Sequence, residues 1–165
     1  MSLSPVIYRW AWSECEGEIM ASINHLAIVV ENIDSALGFW HEALGLPLGK
    51  VERNDGEEVD IAFLPLDEGE IELLAPINET SGVAKYLAKR GAGMHHLCIE
   101  VDDIAATMQR LVEHGIELIN DAPKINADGT KYCFIHPKSA FGVLVELYEQ
   151  GKSREVSPPP QTPPP

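Results

Sequence analysis

Apolar and polar positions alternate in several short stretches of the chain, and two of those stretches match each other almost residue for residue. "INHLAIVVENI", residues 23–33, and "HHLCIEVDDI", residues 95–104, place His25 opposite His96, Leu26 opposite Leu97, Ile28 opposite Ile99, Val30 opposite Val101 and Ile33 opposite Ile104, all at one constant offset. Alternation of this kind marks a half-buried strand. After the first strand, "NIDSALGFWHEAL" changes to a helical period, with Asn32 or Asp34 near its cap and Ala36, Phe39, Trp40 and Leu44 on one face. "EVDIAFLPL" and "EIELLAP" read as strands separated by the turn "DEGE", and "GKVERND" adds a short further strand. "TSGVAKYLAKRGAG" predicts a linking helix that ends on glycine. The second half repeats the plan: a strand from His96 to Val101, a helix from Asp103 to His114 ended by Gly115, and strands around "IELIND", "KYCFIHP" and "GVLVELYEQ". The pattern predicts an α+β fold of two tandem βαβββ modules sharing a curved mixed sheet. Module one spans about 22–77, the linking helix about 81–91 and module two about 94–150.

The 165 residues suffice for one domain, or for two small modules on one sheet, without covalent staples. Cys15, Cys98 and Cys133 are odd in number and form no CxxC, which argues against a disulfide framework and for a reducing, cytoplasmic setting. No apolar run reaches the roughly 18 residues of a membrane span. Residues 1–21 show no clean period and contain a second Met at position 20, so they read as an N-terminal extension. Six of the 12 prolines fall in the last eight residues, which predicts a disordered or polyproline-like tail over 151–165. The net charge of −14, with no run among the 12 Lys and Arg, argues against nucleic acid as a partner.

The repeat extends to the last strand of each module. "EIELL", residues 70–74, matches "LVELY", residues 144–148, so that Glu72 lies opposite Glu146. Each module therefore supplies one His and one Glu. A carboxylate on the buried face of a sheet is costly unless it is paired or bound to a cation. If the modules pair about a pseudo-twofold axis, His25, Glu72, His96 and Glu146 converge on it. Two imidazoles and two carboxylates suit Co²⁺, Ni²⁺, Mn²⁺, Fe²⁺ or Zn²⁺ and leave two octahedral positions open. Alternation is expected to turn His95 away from His96, with Asn24 in the matching place of module one. His41 and His114 read as surface residues on helices, and His136, in "FIHPKSAFG", as either a site-lining or a turn residue.

At these residues the chain resembles the vicinal oxygen chelate superfamily, which has a glyoxalase-like fold around a central metal site, and within it the methylmalonyl-CoA epimerases. The phrases that carry the resemblance are "INHLAIVVENIDSALGFWHEALGL", "IELLAP", "VAKYLAKRGAGMHHLCIEVDDI", "DAPK" and "FIHPKSAFGVLVEL". It implies a divalent metal, cobalt first among the candidates, held by His25, Glu72, His96 and Glu146, with Gln at the Glu72 position in some members. It also implies an acyl-CoA substrate whose C2 proton is removed and returned through a metal-stabilised enolate, with Glu146 serving as both ligand and base, and a homodimer as the assembly. Some members carry a second catalytic Glu where this chain has Ile61, with Asp60 adjacent on the opposite face; Lys138 is then a candidate for the substrate carboxylate or a CoA phosphate, or a solvated loop lysine. A glyoxalase I-type lactoylglutathione lyase, a metal-dependent dioxygenase and a metal-free ligand-binding protein share the fold; four symmetric ligands count against the last two.

Overall fold

The computed structural model describes residues 21–126 and 128–151. The extension expected at the N-terminus, up to residue 20, and the proline-rich tail from residue 152 lie outside the described residues. The strands are β1 (Ala21–Val29), β2 (Lys50–Asn54), β3 (Val59–Pro65), β4 (Glu70–Pro76), β5 (Gly93–Val101), β6 (Lys124–Ile125), β7 (Lys131–Ile135) and β8 (Leu144–Glu149). The helices are α1 (Ile33–Leu37), which continues into a π-helical segment (Gly38–Ala43), α2 (Gly82–Arg90) and α3 (Ile104–Glu113). All strands join one mixed sheet in the order β2-β3-β4-β1-β5-β8-β7-β6. Each half thus contributes β-α-β-β-β, as the duplicated pattern predicts. β1 pairs parallel with β4, and β5 with β8, while β1 and β5 meet antiparallel at the centre.

Alternation sorts the core into layers. Val30, Ala62, Leu64, Ile71 and Leu73 pack under Ile33, Ala36, Leu37 and Trp40 of the first helical stretch. The intervening residues Ala27, Val29, Val59, Ile61 and Leu74 face the other way and meet Val83, Tyr86 and Leu87 of α2. In the second half, Ile104, Met108 and Leu111 of α3 cover Val101, Cys133, Ile135 and Leu147. One face of the sheet therefore carries α1 and α3. The other carries α2 at one end and remains available for a site.

Side-chain caps start each helix. Asn32 Oδ1 accepts the Ser35 N–H, Ser81 Oγ the Ala84 N–H, and Asp103 Oδ1 the Ala106 N–H. Two expectations need correction. The expected α-helical face at Ala36, Phe39, Trp40 and Leu44 breaks, because the Leu44 N–H bonds the carbonyl of Phe39 and the wider π turn adds residues to each revolution. Phe39 and Leu44 consequently stand 56% and 53% exposed, while Leu37 and Trp40 pack inward. The strand expected around "IELIND" reduces to a single bridge between Leu118 and Ile135. The Asn120 side chain accepts the next donor, the Phe134 N–H, and ends the ladder; the edge strand is β6 instead.

Two irregularities interrupt the central ladder. Ile23 pairs with Ile99 and His25 with Cys98, which leaves Asn24 as an extra residue in β1. Ala27 pairs with His96 and Ile28 with Met94, which leaves His95 as an extra residue in β5. Asn24 and His95 occupy equivalent places in the duplication, so the sheet contains a symmetric pair of β-bulges. Gly69, in the turn before β4, has φ +72°, and a Cβ there would lie 2.8 Å from the carbonyl oxygens of Ile23 and Asn24, so only glycine lets that turn close against the first bulge.

Candidate metal centre

Two rows of side chains cross the open face at the pseudo-twofold axis. In one, His25, Cys98 and Glu146 are neighbours across β1, β5 and β8; in the other, Glu72, Ala27 and His96 are neighbours across β4, β1 and β5. Each glutamate therefore faces the histidine of the other module across a small buried residue, Cys98 or Ala27, which leaves room for the longer side chains to lean together. His25 Nε2 lies 2.9 Å from His96 Nε2. Glu146 Oε2 lies 3.0 Å from His96 Nε2 and 3.5 Å from His25 Nε2. One donor atom from each of these three residues falls within 4.8 Å of the others, and the residues are only 7%, 7% and 9% exposed. Glu72 shares the same cavity of about 330 Å³, but its Oε1 lies nearest the other ring nitrogen of His25, Nδ1, at 3.5 Å.

Electrostatics separates the two glutamates. Burial alone would push the Glu146 carboxyl up, but hydrogen bonds from His25 and His96, made when these rings carry a proton on Nε2, outweigh it and hold the pKa below the ordinary value. Among the described residues, Glu72 receives no such hydrogen bond. Burial, reinforced by the charges of Glu70, Glu146 and Glu57 and only partly offset by His25, pushes it up to about 7. Burial lowers the His25 pKa, yet the hydrogen bond to Glu146 and the charges of Glu72 and Glu146 leave it raised. Imidazole and carboxylate lone pairs aimed at one buried point repel unless a proton or a cation lies among them. This donor set fits a first-row divalent ion.

The remaining candidates separate cleanly. His95 is not turned away, since the bulge re-aims it and its Nδ1 lies 2.8 Å from Nδ1 of His96. Burial and the charge of His96 press its pKa down to about 4. His41 and His114 are exposed and bond the backbone carbonyls of Leu46 and Arg110. His136 takes the turn role, accepting the Lys138 N–H. Lys138 itself is 80% exposed and 4.0 Å from Glu117, away from the cavity. Ile61 lines the cavity, whereas Asp60 faces the opposite side and is held by Arg53 at 2.8 and 3.0 Å, which removes it from the chemistry. Asn24, expected to share the outward direction of His95, also lines the cavity, re-aimed by its own bulge; Lys50 and Glu57 line it too and were not singled out by pattern. Glu57 sits in a turn, where no periodicity marks a direction; a glutamate pair just before a strand is its only trace. A larger hollow of about 840 Å³, bordered by Ile23, Leu26, Leu66 and Leu97, contains none of the four candidate ligands.

The glyoxalase/bleomycin resistance protein/dioxygenase superfamily matches residues 24–134 of the chain. The ethylmalonyl-CoA/methylmalonyl-CoA epimerase of Cereibacter sphaeroides is 38% identical over 131 residues, covering 78% of this chain and 98% of the relative. Mitochondrial methylmalonyl-CoA epimerase of Mus musculus is 37% identical over 129 residues, covering 78% and 72%. Among solved structures, methylmalonyl-CoA epimerase of Streptomyces coelicolor in complex with 2-nitronate-propionyl-CoA superposes with a TM-score of 0.71 at 30% identity, covering 78% of this chain and 96% of that one.

Proposed function

The chain belongs to the glyoxalase/bleomycin resistance protein/dioxygenase superfamily, and from that premise we propose that it is an epimerase interconverting the (2R) and (2S) forms of methylmalonyl-CoA. The observation that carries this reading is the convergence of His25, His96 and Glu146 donor atoms within 4.8 Å, on a cavity wall that also presents Glu72. These residues would hold a divalent ion, with Glu72 completing the set. Such an ion supplies an electrophile for the thioester oxygen and acidifies the C2 proton. His25, His96 and Glu146 alone would also suit a dioxygenase; the relatives named methylmalonyl-CoA epimerase, at 37% and 38% identity, favour the epimerase.

The proton is carried by the chain itself. Glu146, held ionised by two imidazoles, accepts the C2 proton on one side. Inversion requires delivery from the other side. Glu52 is committed to Lys50 at 2.8 Å, Asp128 accepts from Thr130 at 2.7 and 3.0 Å and Glu72 is assigned to the ion, which leaves Glu57 and Glu70 on the cavity wall. Glu57 is exposed and can reload from solvent, so it takes the second role. Cobalt as the ion, a homodimer as the assembly and the cytoplasm as the compartment complete the reading.

Incubation with (2R)-methylmalonyl-CoA in D₂O, after loading with Co²⁺, tests it. Epimerisation with deuterium incorporated at C2 is expected. Turnover of a glutathione hemithioacetal without exchange of the malonyl substrate would instead identify a lyase. Glu57→Gln should block epimerisation while leaving exchange of one epimer; the same result from Glu70→Gln alone would move the second role there.

A further inference from the structure

We infer that Asn24 and His95, the extra residues of the two β-bulges, are positioning residues that fix the tautomer and aim of His25 and His96, and that Glu100 anchors the first of them. Strict alternation would point each side chain to the face opposite its histidine. The inserted residue instead lies beside its successor, as bulges near functional sites do. Asn24 Oδ1 lies 2.9 Å from His25 Nδ1, and Asn24 Nδ2 donates to Glu100 Oε2 at 2.8 Å.

Hydrogen-bond inventory then fixes the proton. A carboxylate can only accept, so the amide must turn its NH₂ toward Glu100 and its oxygen toward the ring. The ring nitrogen facing that oxygen must donate. His25 therefore carries its hydrogen on Nδ1 and presents the Nε2 lone pair to the centre, where His96 Nε2 and Glu146 Oε2 lie 2.9 and 3.5 Å away. Glu100 belongs to β5 and Asn24 to β1, so the second module orients the histidine of the first. At the equivalent place, His95 Nδ1 lies 2.8 Å from His96 Nδ1, and its ring packs edge-on against Tyr86 at 4.8 Å. With His96 as the donor of this pair, as His25 is toward Asn24, both Nε2 lone pairs turn inward. The bulges recur at the same offset as the histidines themselves. They belong to the duplicated unit, with different side chains supplying one acceptor.

This inference rests on the proposed metal centre, and its test keeps the two apart. Two-bond ¹H–¹⁵N spectra of the metal-free wild-type chain, at a pH where the rings are neutral, should show His25 and His96 protonated on Nδ1. Calorimetric titration with Co²⁺ alone should give Asn24→Leu a Kd about 10- to 100-fold weaker than wild type, the range typical of lost outer partners of metal-bound histidines. Asn24→Asp combined with Glu100→Gln, which keeps the acceptor toward His25 and restores a donor across the Asn24–Glu100 contact, should recover most of the loss, and His95→Asn should bind more tightly than His95→Ala. An Nε2-protonated His25 in the wild-type spectrum, or an unchanged Kd for folded Asn24→Leu, overturns the inference. Failure of the wild type to bind Co²⁺ removes the metal reading, and the tautomer spectrum then decides the positioning role by itself.

Discussion

The two modules place a glutamate at the same point of the same strand, yet the two carboxylates live in opposite states. Glu146 lies 3.5 and 3.0 Å from the two central imidazoles, whose protonated forms hold its pKa below the ordinary value, whereas Glu72 is buried among Glu57, Glu70 and Glu146 and is pushed up to about 7. Duplication has repeated the backbone and the residue types. It has not repeated the charge state, because each carboxylate answers to the local count of donors and acids rather than to its register. Two glutamates at equivalent positions can in this way differ in role, one kept as a carboxylate at any ordinary pH and the other the stronger base that takes up a proton near 7.

The largest test removes the symmetry outright. His96→Ala should lose most bound Co²⁺ and lower turnover by orders of magnitude while the chain stays folded, whereas exposed His41→Ala changes neither. Metal content by mass spectrometry with circular dichroism checks this, and equal metal in both variants would strike His96 from the ligand set.

Next in size is the contrast between the glutamates. Glu146→Gln should keep much of its metal but slow deuterium exchange at C2 by about 10²–10⁴-fold for at least one epimer, the usual contribution of a general base. Glu72→Gln should be milder. Equal losses in the two variants would mean that the difference in charge state has no bearing on the proton step.

Stability without metal sharpens the same comparison. A carboxyl whose folded pKa is raised contributes stability below its unfolded value and loses it as pH rises from there through about 7. Metal-free Glu72→Gln should therefore exceed wild type in stability at pH 8 by about 1–3 kcal/mol, with the gap shrinking toward pH 5. Urea unfolding at the two pH values measures it, and a pH-independent gap would contradict the raised pKa.

The smallest effect lies away from the site. Glu149 accepts from Lys131 Nζ at 2.6 Å and from the Ile104 N–H at 2.9 Å, which holds its pKa down. Its contribution is present above the unfolded value and fades as pH falls through the lower folded one, so Glu149→Gln should cost about 1 kcal/mol near neutral pH and little in acid. A gap that persists in acid would assign the effect to packing.

Much of the frame was legible because strand alternation and a repeat both survive in the sequence, the repeat carrying His25 to His96 at one offset and Glu72 to Glu146 at a slightly longer one. The bulges were not. An inserted residue leaves alternation looking intact on either side, so His95 read as turned away when it abuts His96. The π turn after Leu37 was hidden for a related reason: side-chain spacing fits an ordinary helix until the backbone bond from Leu44 to Phe39 shifts the face. Glu57 lies in a turn, where direction is set by backbone geometry that no periodic pattern encodes.

The central β1–β5 ladder also sets the order of events as the chain folds. It joins residues such as Ala27 and His96 that lie more than a whole module apart, whereas β3–β4 and β7–β8 pair across short connections. Contacts of such long sequence separation form late and slow the approach to the native state. Until they form, each half displays β1 or β5 as an open edge, which can accept the complementary strand of another copy as readily as its own. The length of the link through α2 thus governs a competition between closure within one chain and strand exchange between two, and shortening it would favour the swapped assembly.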